Sequence, residues 1–327
     1  MFKHINIKRG DYMDYSEQKN WKKIMNYLPT KYHLRNEDLP KEESWQWHEN
    51  NVHLDAYRNP TARAKVILFH GVGTNGRQMS TIIGSPLARN GYEVIALDMP
   101  LYGVTEVKQK NTVCYDDWVQ LGSDYIDYEC SKDNRPIFLY GLSAGGMETY
   151  HVACKNKKVR GIIGMTFLDQ RNQQVRNETT NNAFWGHLGT PLAGLSVKLG
   201  LGRLRMKMSL CSKMSALCND ENCLKEMLSD KTSAGNSVPM KFIYSYMTYQ
   251  PEIAPENFKI CPILLTQPEK DKWTPLPLSQ IFLKKIKKVP VIIKILKNGS
   301  HYPIEEPALE QLDKYILEFI ETNLHGE

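Results

Sequence analysis

The sequence predicts an α/β protein: a mostly parallel central sheet with antiparallel first strands and helices on both faces. Two observations carry this expectation. Short apolar runs of strand length recur along the chain, at Lys65 to His70, Tyr92 to Asp98, Pro136 to Tyr140, Val159 to Phe167, Pro262 to Thr266 and Val289 to Leu296. Segments of helical period separate them. Most of these runs are continuously apolar rather than alternating, which suits strands buried on both faces of a parallel sheet.

Taken in order, residues 15–28 place Trp21, Ile24, Met25 and Leu28 at helical spacing, and Pro29 and Pro40 then interrupt the helical pattern. They are read as an accessory helix within an N-terminal extension, 1–43. Ser44 to Tyr57 gives two alternating runs around Glu49, Asn50 and Asn51, the pattern of an antiparallel hairpin. After Asn59 and Pro60 the parallel core begins. The alternation lapses over 169–257, where Met206, Met208, Met214, Met227, Met240 and Met247 accompany Gly, Ser and Leu. That stretch is too long for a simple strand connection and reads as an inserted helical cap, or lid. The core is then 44–168 with 258–327, closed by a helix from Pro307 to Leu324 that aligns Leu309, Leu312, Ile316, Phe319 and Ile320 on one face.

Of the 327 residues, 41% are hydrophobic and 24% charged, which excludes wholesale disorder and a coiled rod. The formal charge of +6 arises from 42 basic and 36 acidic residues scattered along the chain, so no nucleic-acid partner is expected. Seven cysteines, an odd set without C-x-x-C spacing, suggest reduced thiols in a cytoplasmic protein rather than a zinc site or a disulfide framework. Met1 to Gly10 lacks the apolar stretch of a signal peptide, and no run reaches the length of a membrane span.

The chemistry concentrates in three places. Gly141-Leu142-Ser143-Ala144-Gly145 follows the apolar run Ile137 to Tyr140 directly and precedes a helical segment. A serine on a turn that tight, with Gly141 and Gly145 leaving room, exposes its Oγ above the sheet as a nucleophile. The helix after it aims free amides and a favourable dipole at the negative charge of an acyl-transfer intermediate. His301, in a loop just past the run 291–296, is the candidate general base. Asp271, past the run Ile263 to Thr266, lies between the two in sequence and is the candidate acid that orients the base. Glu269 and Asp169 are rival acids, Asp169 the stronger. His70-Gly71-Val72-Gly73 follows the first long run, where the Val72 N–H can join that of Ala144 in an oxyanion hole. Each residue alone also suits a plain turn or a solvated loop; the order Ser, acid, His favours the catalytic reading.

With these residues in place, the chain resembles the α/β-hydrolase superfamily over roughly 60–325, including HGVG and the segment YEVIALDMPLYG. Its nearest look is to the monoglyceride lipase, lysophospholipase and carboxylesterase group, whose members carry a helical cap between the sixth and seventh strands. The resemblance implies a serine esterase that works through an acyl-enzyme on Ser143, with no cofactor and no metal, on a small or medium acyl ester that is lipid-like in one version. An acyltransferase, a peptidase and a non-catalytic binding protein on the same fold are the alternatives. The cap methionines are read as cap core or as an adaptable acyl pocket. Leu199 to Leu210, with Arg203, Arg205 and Lys207 among apolar residues, is a candidate membrane contact.

Overall fold

The structure is a computed structural model that describes residues 14–324; the reading of Met1 to Gly10 lies outside the described residues. Its main sheet has eight strands: β1 (Lys41–Trp47), β2 (Asn50–Tyr57), β3 (Lys65–Phe69), β4 (Glu93–Leu97), β5 (Ile137–Gly141), β6 (Val159–Gly164), β7 (Ile263–Pro268) and β8 (Val291–Leu296). They lie in the order β1-β2-β4-β3-β5-β6-β7-β8. The β1/β2 and β2/β4 pairs are antiparallel and all the others parallel, as expected. This is the α/β-hydrolase architecture.

The apolar runs become strands because β3, β4 and β5 are buried at every position. The hairpin turn falls at His48 and Glu49, so Asn50 and Asn51 belong to β2 rather than to the turn; His48 takes the positive φ of 51° that the tight connection needs. β8 also departs from expectation. It is the edge of the sheet, and Ile292, Ile293 and Ile295 are 37% to 38% exposed. An apolar run marks a strand but does not say whether a neighbour covers it.

Helices α2 (Tyr115–Cys130) and α3 (Ala144–Asn156) pack together, and the C-terminal helix α9 (Ala308–Asn323) lies against β6, β7 and β8. Its five expected core residues, Leu309, Leu312, Ile316, Phe319 and Ile320, are all buried. The N-terminal helix α1 is shorter than the sequence suggests, Asn20–Met25. Its Trp21 and Ile24 are buried, and Tyr15 reaches inward to donate its hydroxyl to the Asp98 carboxylate at 2.9 Å.

Between β6 and β7 the chain adds no strand to the main sheet. Instead it forms α4 (Gln173–Thr179), α5 (Ala183–Lys198), α6 (Glu221–Ser229) and α7 (Met240–Thr248). A small antiparallel ribbon, Arg205–Lys207 with Ser237–Pro239, is an element the sequence reading missed. Helix α8 (Leu276–Leu283) follows β7. No described helix is long and apolar enough to cross a membrane, and all seven cysteines are free.

Candidate active site

The loops after β3, β5, β7 and β8 leave the carboxyl ends of parallel strands and therefore share one edge of the sheet, the usual place for a site in such folds. Ser143 occupies the turn from β5 into α3 with φ 56° and ψ −123°, an uncommon conformation for a residue with a side chain. The turn exists only because of its glycines. A Cβ at Gly141 would stand 1.9 Å from the Gly145 carbonyl oxygen, and one at Gly145 would stand 2.5 Å from the Phe69 carbonyl oxygen. The backbone after Ser143 is stitched down by Gly145 N–H to Leu142 O and Gly146 N–H to Ser143 O, both 2.9 Å. The Ala144 amide lies in the first turn of α3, among the donors that a helix leaves without an internal acceptor.

The loop after β3 is held against this turn. A Cβ at Gly71 would be 2.7 Å from Ser143 Cβ and 3.3 Å from Ser143 Oγ. Gly71 N–H donates to Thr74 Oγ1 at 3.0 Å and Thr74 N–H to Gly71 O at 3.2 Å, so the turn closes on itself without using the Val72 N–H. Gly73 lies beneath Leu217 and Met214. His70 is fully buried beside it. Its Nε2 accepts from the Met99 N–H at 2.9 Å, which leaves Nδ1 to donate to the Gly71 carbonyl at 2.9 Å. Burial holds this imidazole below its ordinary pKa, so it is a neutral brace for the loop.

His301 and Asp271 meet. His301 Nδ1 lies 2.8 Å from Asp271 Oδ2. The Asp271 carboxylate also accepts the Trp273 and Thr274 amides on Oδ1, each at 2.8 Å, and the Thr274 hydroxyl on Oδ2 at 2.7 Å. Burial pushes the Asp271 pKa up, but the His301 charge and the His301 and Thr274 hydrogen bonds more than offset it, so the carboxyl is held below its usual range. The Trp273 ring lies 4.8 Å from the imidazole, tilted by 40°. His301 Nε2 is buried and has no hydrogen-bond partner.

The rival carboxylates are engaged elsewhere. Asp169 pairs with the Arg171 guanidinium at 2.7 and 2.8 Å, and Glu269 accepts the Asn298 N–H at 2.9 Å from an exposed position. Thr274 and Trp273 were not singled out in sequence. The available signal was Asp-x-Trp-Thr, an aspartate followed by residues whose amides it caps in a local turn.

Ser143 opens into a narrow pocket of about 70 Å³. Val72, Trp273 and Thr274 line it on the core side, and Met206, Met208, Met240 and Met247 on the other. Met214 and Met227 are packed in the core instead. Among the described residues, Glu42, His53 and Asp55 form the one cluster with metal-ligand geometry. Arg77 already occupies it, pairing with Asp55 at 2.6 Å and Glu42 at 3.0 Å, so these residues do not fit a cation.

Comparison with known proteins agrees with this architecture. The family described as serine aminopeptidase, S33, matches residues 60–308. An uncharacterized hydrolase of Bacillus subtilis strain 168, YugF, is 22% identical over 277 residues, covering 83% of this chain and 94% of that protein. A soluble variant of monoglyceride lipase from Saccharomyces cerevisiae superimposes with a TM-score of 0.73 at 18% identity, over 91% of this chain and all of that one. The monoacylglycerol lipase of Paleococcus ferrophilus does so with 0.63 at 21%, over 83% of this chain and 99% of its own.

Proposed function

The chain belongs to the serine aminopeptidase S33 family, a hydrolase of the lipase and esterase type on the α/β-hydrolase fold, and from that premise we propose that it cleaves carboxylic esters through an acyl-enzyme on Ser143. The observation that carries the reading is the state of His301. Its Nδ1 is committed to Asp271, so Nε2, which has no partner, is the nitrogen left to take up a proton, buried at the sheet edge that also holds Ser143.

In the proposed mechanism Nε2 takes the Ser143 proton as Oγ attacks the ester carbonyl. The Val72 and Ala144 amides receive the oxyanion, and Asp271 stabilises the imidazolium. His301 then gives its proton to the leaving alcohol, and water, activated the same way, releases the acid. Protons pass between Ser143, His301, the leaving alcohol and water, while the backbone amides only donate hydrogen bonds.

The family's name raises cleavage at a free amino terminus as a second reading. An α-ammonium beside the scissile bond calls for a carboxylate, and among the described residues none lines the pocket. The lining mixes Met, Phe, Ile, Leu and Trp with Thr and Ser but presents mostly apolar surface, which favours an acyl chain. The segment 169–257 is proposed to act as the lid that carries much of this lining. On α5, Phe184, Leu188, Leu192 and Leu195, continued by Leu199, form a stripe that is 41% to 64% exposed, beside exposed Arg203, Arg205 and Lys207. An apolar stripe flanked by cations suits the surface of an anionic lipid layer and supports a lipid-like ester as substrate. Seven free cysteines fit a reducing, cytoplasmic setting.

The test is labelling with a fluorophosphonate probe, then turnover of p-nitrophenyl esters of increasing chain length. Wild type is expected to label and turn over, and Ser143→Ala to do neither. A folded wild type that does neither, or release from aminoacyl amides in preference to esters, removes the reading.

A further inference from the structure

The N-terminal segment 15–25 lies outside the matched family span of 60–308, and the proposed mechanism makes no use of it. Yet it packs on the far end of the loop that carries the Val72 amide. That loop, His70 to Asn75, runs from β3 into a short helix, Gly76–Met79. Its near end is braced by the buried His70, bonded to the Met99 N–H and the Gly71 carbonyl. Its far end meets the N-terminal segment twice.

The first contact passes through Asp98, a fully buried carboxylate just past β4. Asp98 Oδ1 accepts the Gly76 N–H at 2.7 Å, and the Tyr15 hydroxyl donates between Oδ1 and Oδ2, 2.9 and 3.0 Å away. The second contact is Arg77, whose guanidinium lies 4.5 Å from the centre of the Tyr15 ring and 4.8 Å from that of Trp21. Glu42, which pairs with Arg77 at 3.0 Å, also accepts the Tyr15 N–H at 2.9 Å. Trp21 Nε1 donates to the Tyr15 carbonyl at 2.9 Å and so holds the segment in this pose.

A buried anion depends on its donors, and neighbours shift when one is removed. Burial alone would push the Asp98 pKa up, but His53, 3.0 Å away, and the Val104 N–H more than offset it, so the carboxyl is held below its usual range. Tyr15 and Gly76 share Oδ1, so a carboxylate that loses the phenol moves the start of the helix and, with it, the loop. An oxyanion donor works only when it is accurately placed.

We propose that Tyr15 and Trp21 are positioning residues for the oxyanion loop: through Asp98 and Arg77 they fix where the Val72 amide stands, and turnover depends on the N-terminal segment. This rests on the ester hydrolysis proposed above. Neither residue is among those that line the pocket before Ser143, so their effect falls on kcat rather than on KM.

The experiment measures hydrolysis of a p-nitrophenyl ester and inhibition by an alkyl trifluoromethyl ketone. Ser143 Oγ adds to the ketone carbonyl, its proton passes to His301, and the carbonyl electron pair becomes an oxyanion that reports on the hole directly. Tyr15→Phe deletes only the hydroxyl. It is expected to lower kcat by about tenfold, less than the roughly 10²–10³ for outright loss of a donor, to leave KM unchanged, and to weaken the ketone by the same factor as kcat. Trp21→Phe loses the bond to the Tyr15 carbonyl but keeps a ring beside Arg77, so it should move kcat and ketone affinity the same way by a smaller factor; it carries the test if Tyr15→Phe does not fold. Unchanged kcat and ketone affinity in the folded variant, or a fall in kcat that ketone affinity does not follow, overturns the assignment. Ser143-dependent turnover that these variants leave intact defeats this inference alone, while absence of Ser143-dependent turnover in wild type defeats the esterase reading beneath it.

Discussion

His301 Nδ1 stands 2.8 Å from Asp271 Oδ2, and the same carboxylate takes three more hydrogen bonds from Trp273 and Thr274. An anion held on four sides cannot swing away, so it fixes both the position of the imidazole and the tautomer that leaves Nε2 free. Asp271→Asn is therefore expected to lower kcat by about 10⁴. Asp169→Asn, which only releases Arg171, should stay within a few-fold of wild type on the same p-nitrophenyl ester. The reverse pattern would make Asp169 the acid.

Thr274 shares its hydroxyl between Asp271 Oδ2 at 2.7 Å and the neighbourhood of His301 Nδ1 at 3.2 Å. Thr274→Val keeps the shape and the amide but loses that donor. A hydrogen bond to a charged group is worth about 1.5–3 kcal/mol, so kcat should fall by about ten- to a hundredfold. An unchanged kcat would show that the two amides suffice.

A methyl at Gly71 would meet Ser143 Cβ at 2.7 Å and the Leu142 carbonyl oxygen at 2.9 Å, with backbone on one side and the Ser143 side chain on the other. Gly71→Ala must move the loop that carries the Val72 amide. Loss of a single oxyanion donor costs about 10²–10³ in kcat, and a loss of that size is expected here. Full activity in a folded Gly71→Ala protein would remove the Val72 amide from the chemistry.

Glu148, on α3 near Tyr115 and Tyr246, is fully buried with neither carboxyl oxygen bonded. Burial raises its pKa well above the ordinary 4.5. The folded chain thus keeps a proton that the unfolded chain releases, and stability falls as pH rises from 4.5 towards the folded value. Glu148→Gln abolishes that dependence. Its advantage over wild type in chemical denaturation should grow with pH, by at most about 1.4 kcal/mol per pH unit. An advantage that does not change with pH would mean that Glu148 is charged in the folded protein.

Leu188 and Leu195 are 48% and 52% exposed on α5. Leu188→Glu with Leu195→Glu should reduce co-sedimentation with anionic vesicles and lower turnover of a vesicle-borne ester relative to a soluble one. Equal sedimentation of the variant and wild type would assign the stripe to something other than a lipid surface.

The parts of the fold that could be read in the sequence were those whose physics is local in the chain. β3, β4 and β5 declare themselves because a strand covered on both faces has no position for a polar residue, and the Ser143 turn does so because only glycine fits at 141 and 145. β8 reads the same way as the inner strands although it is an edge, since its own residues do not record what lies beside them. The ribbon at Arg205–Lys207 was missed because three-residue strands carry no period.

By itself the sequence determined the α/β alternation, the serine turn and the order of serine, acid and histidine along the chain. Which carboxylate meets His301, and how Thr274 and Trp273 hold it, were decided only by the tertiary structure. Asp169, Glu269 and Asp271 all lie near strand ends; Arg171, two residues on, engages Asp169, whereas Asn298 and His301 reach Glu269 and Asp271 from a loop some 30 residues away. Hydrogen bonds and burial are set by neighbours in space, and a linear order cannot specify those neighbours until the sheet brings its loop ends together.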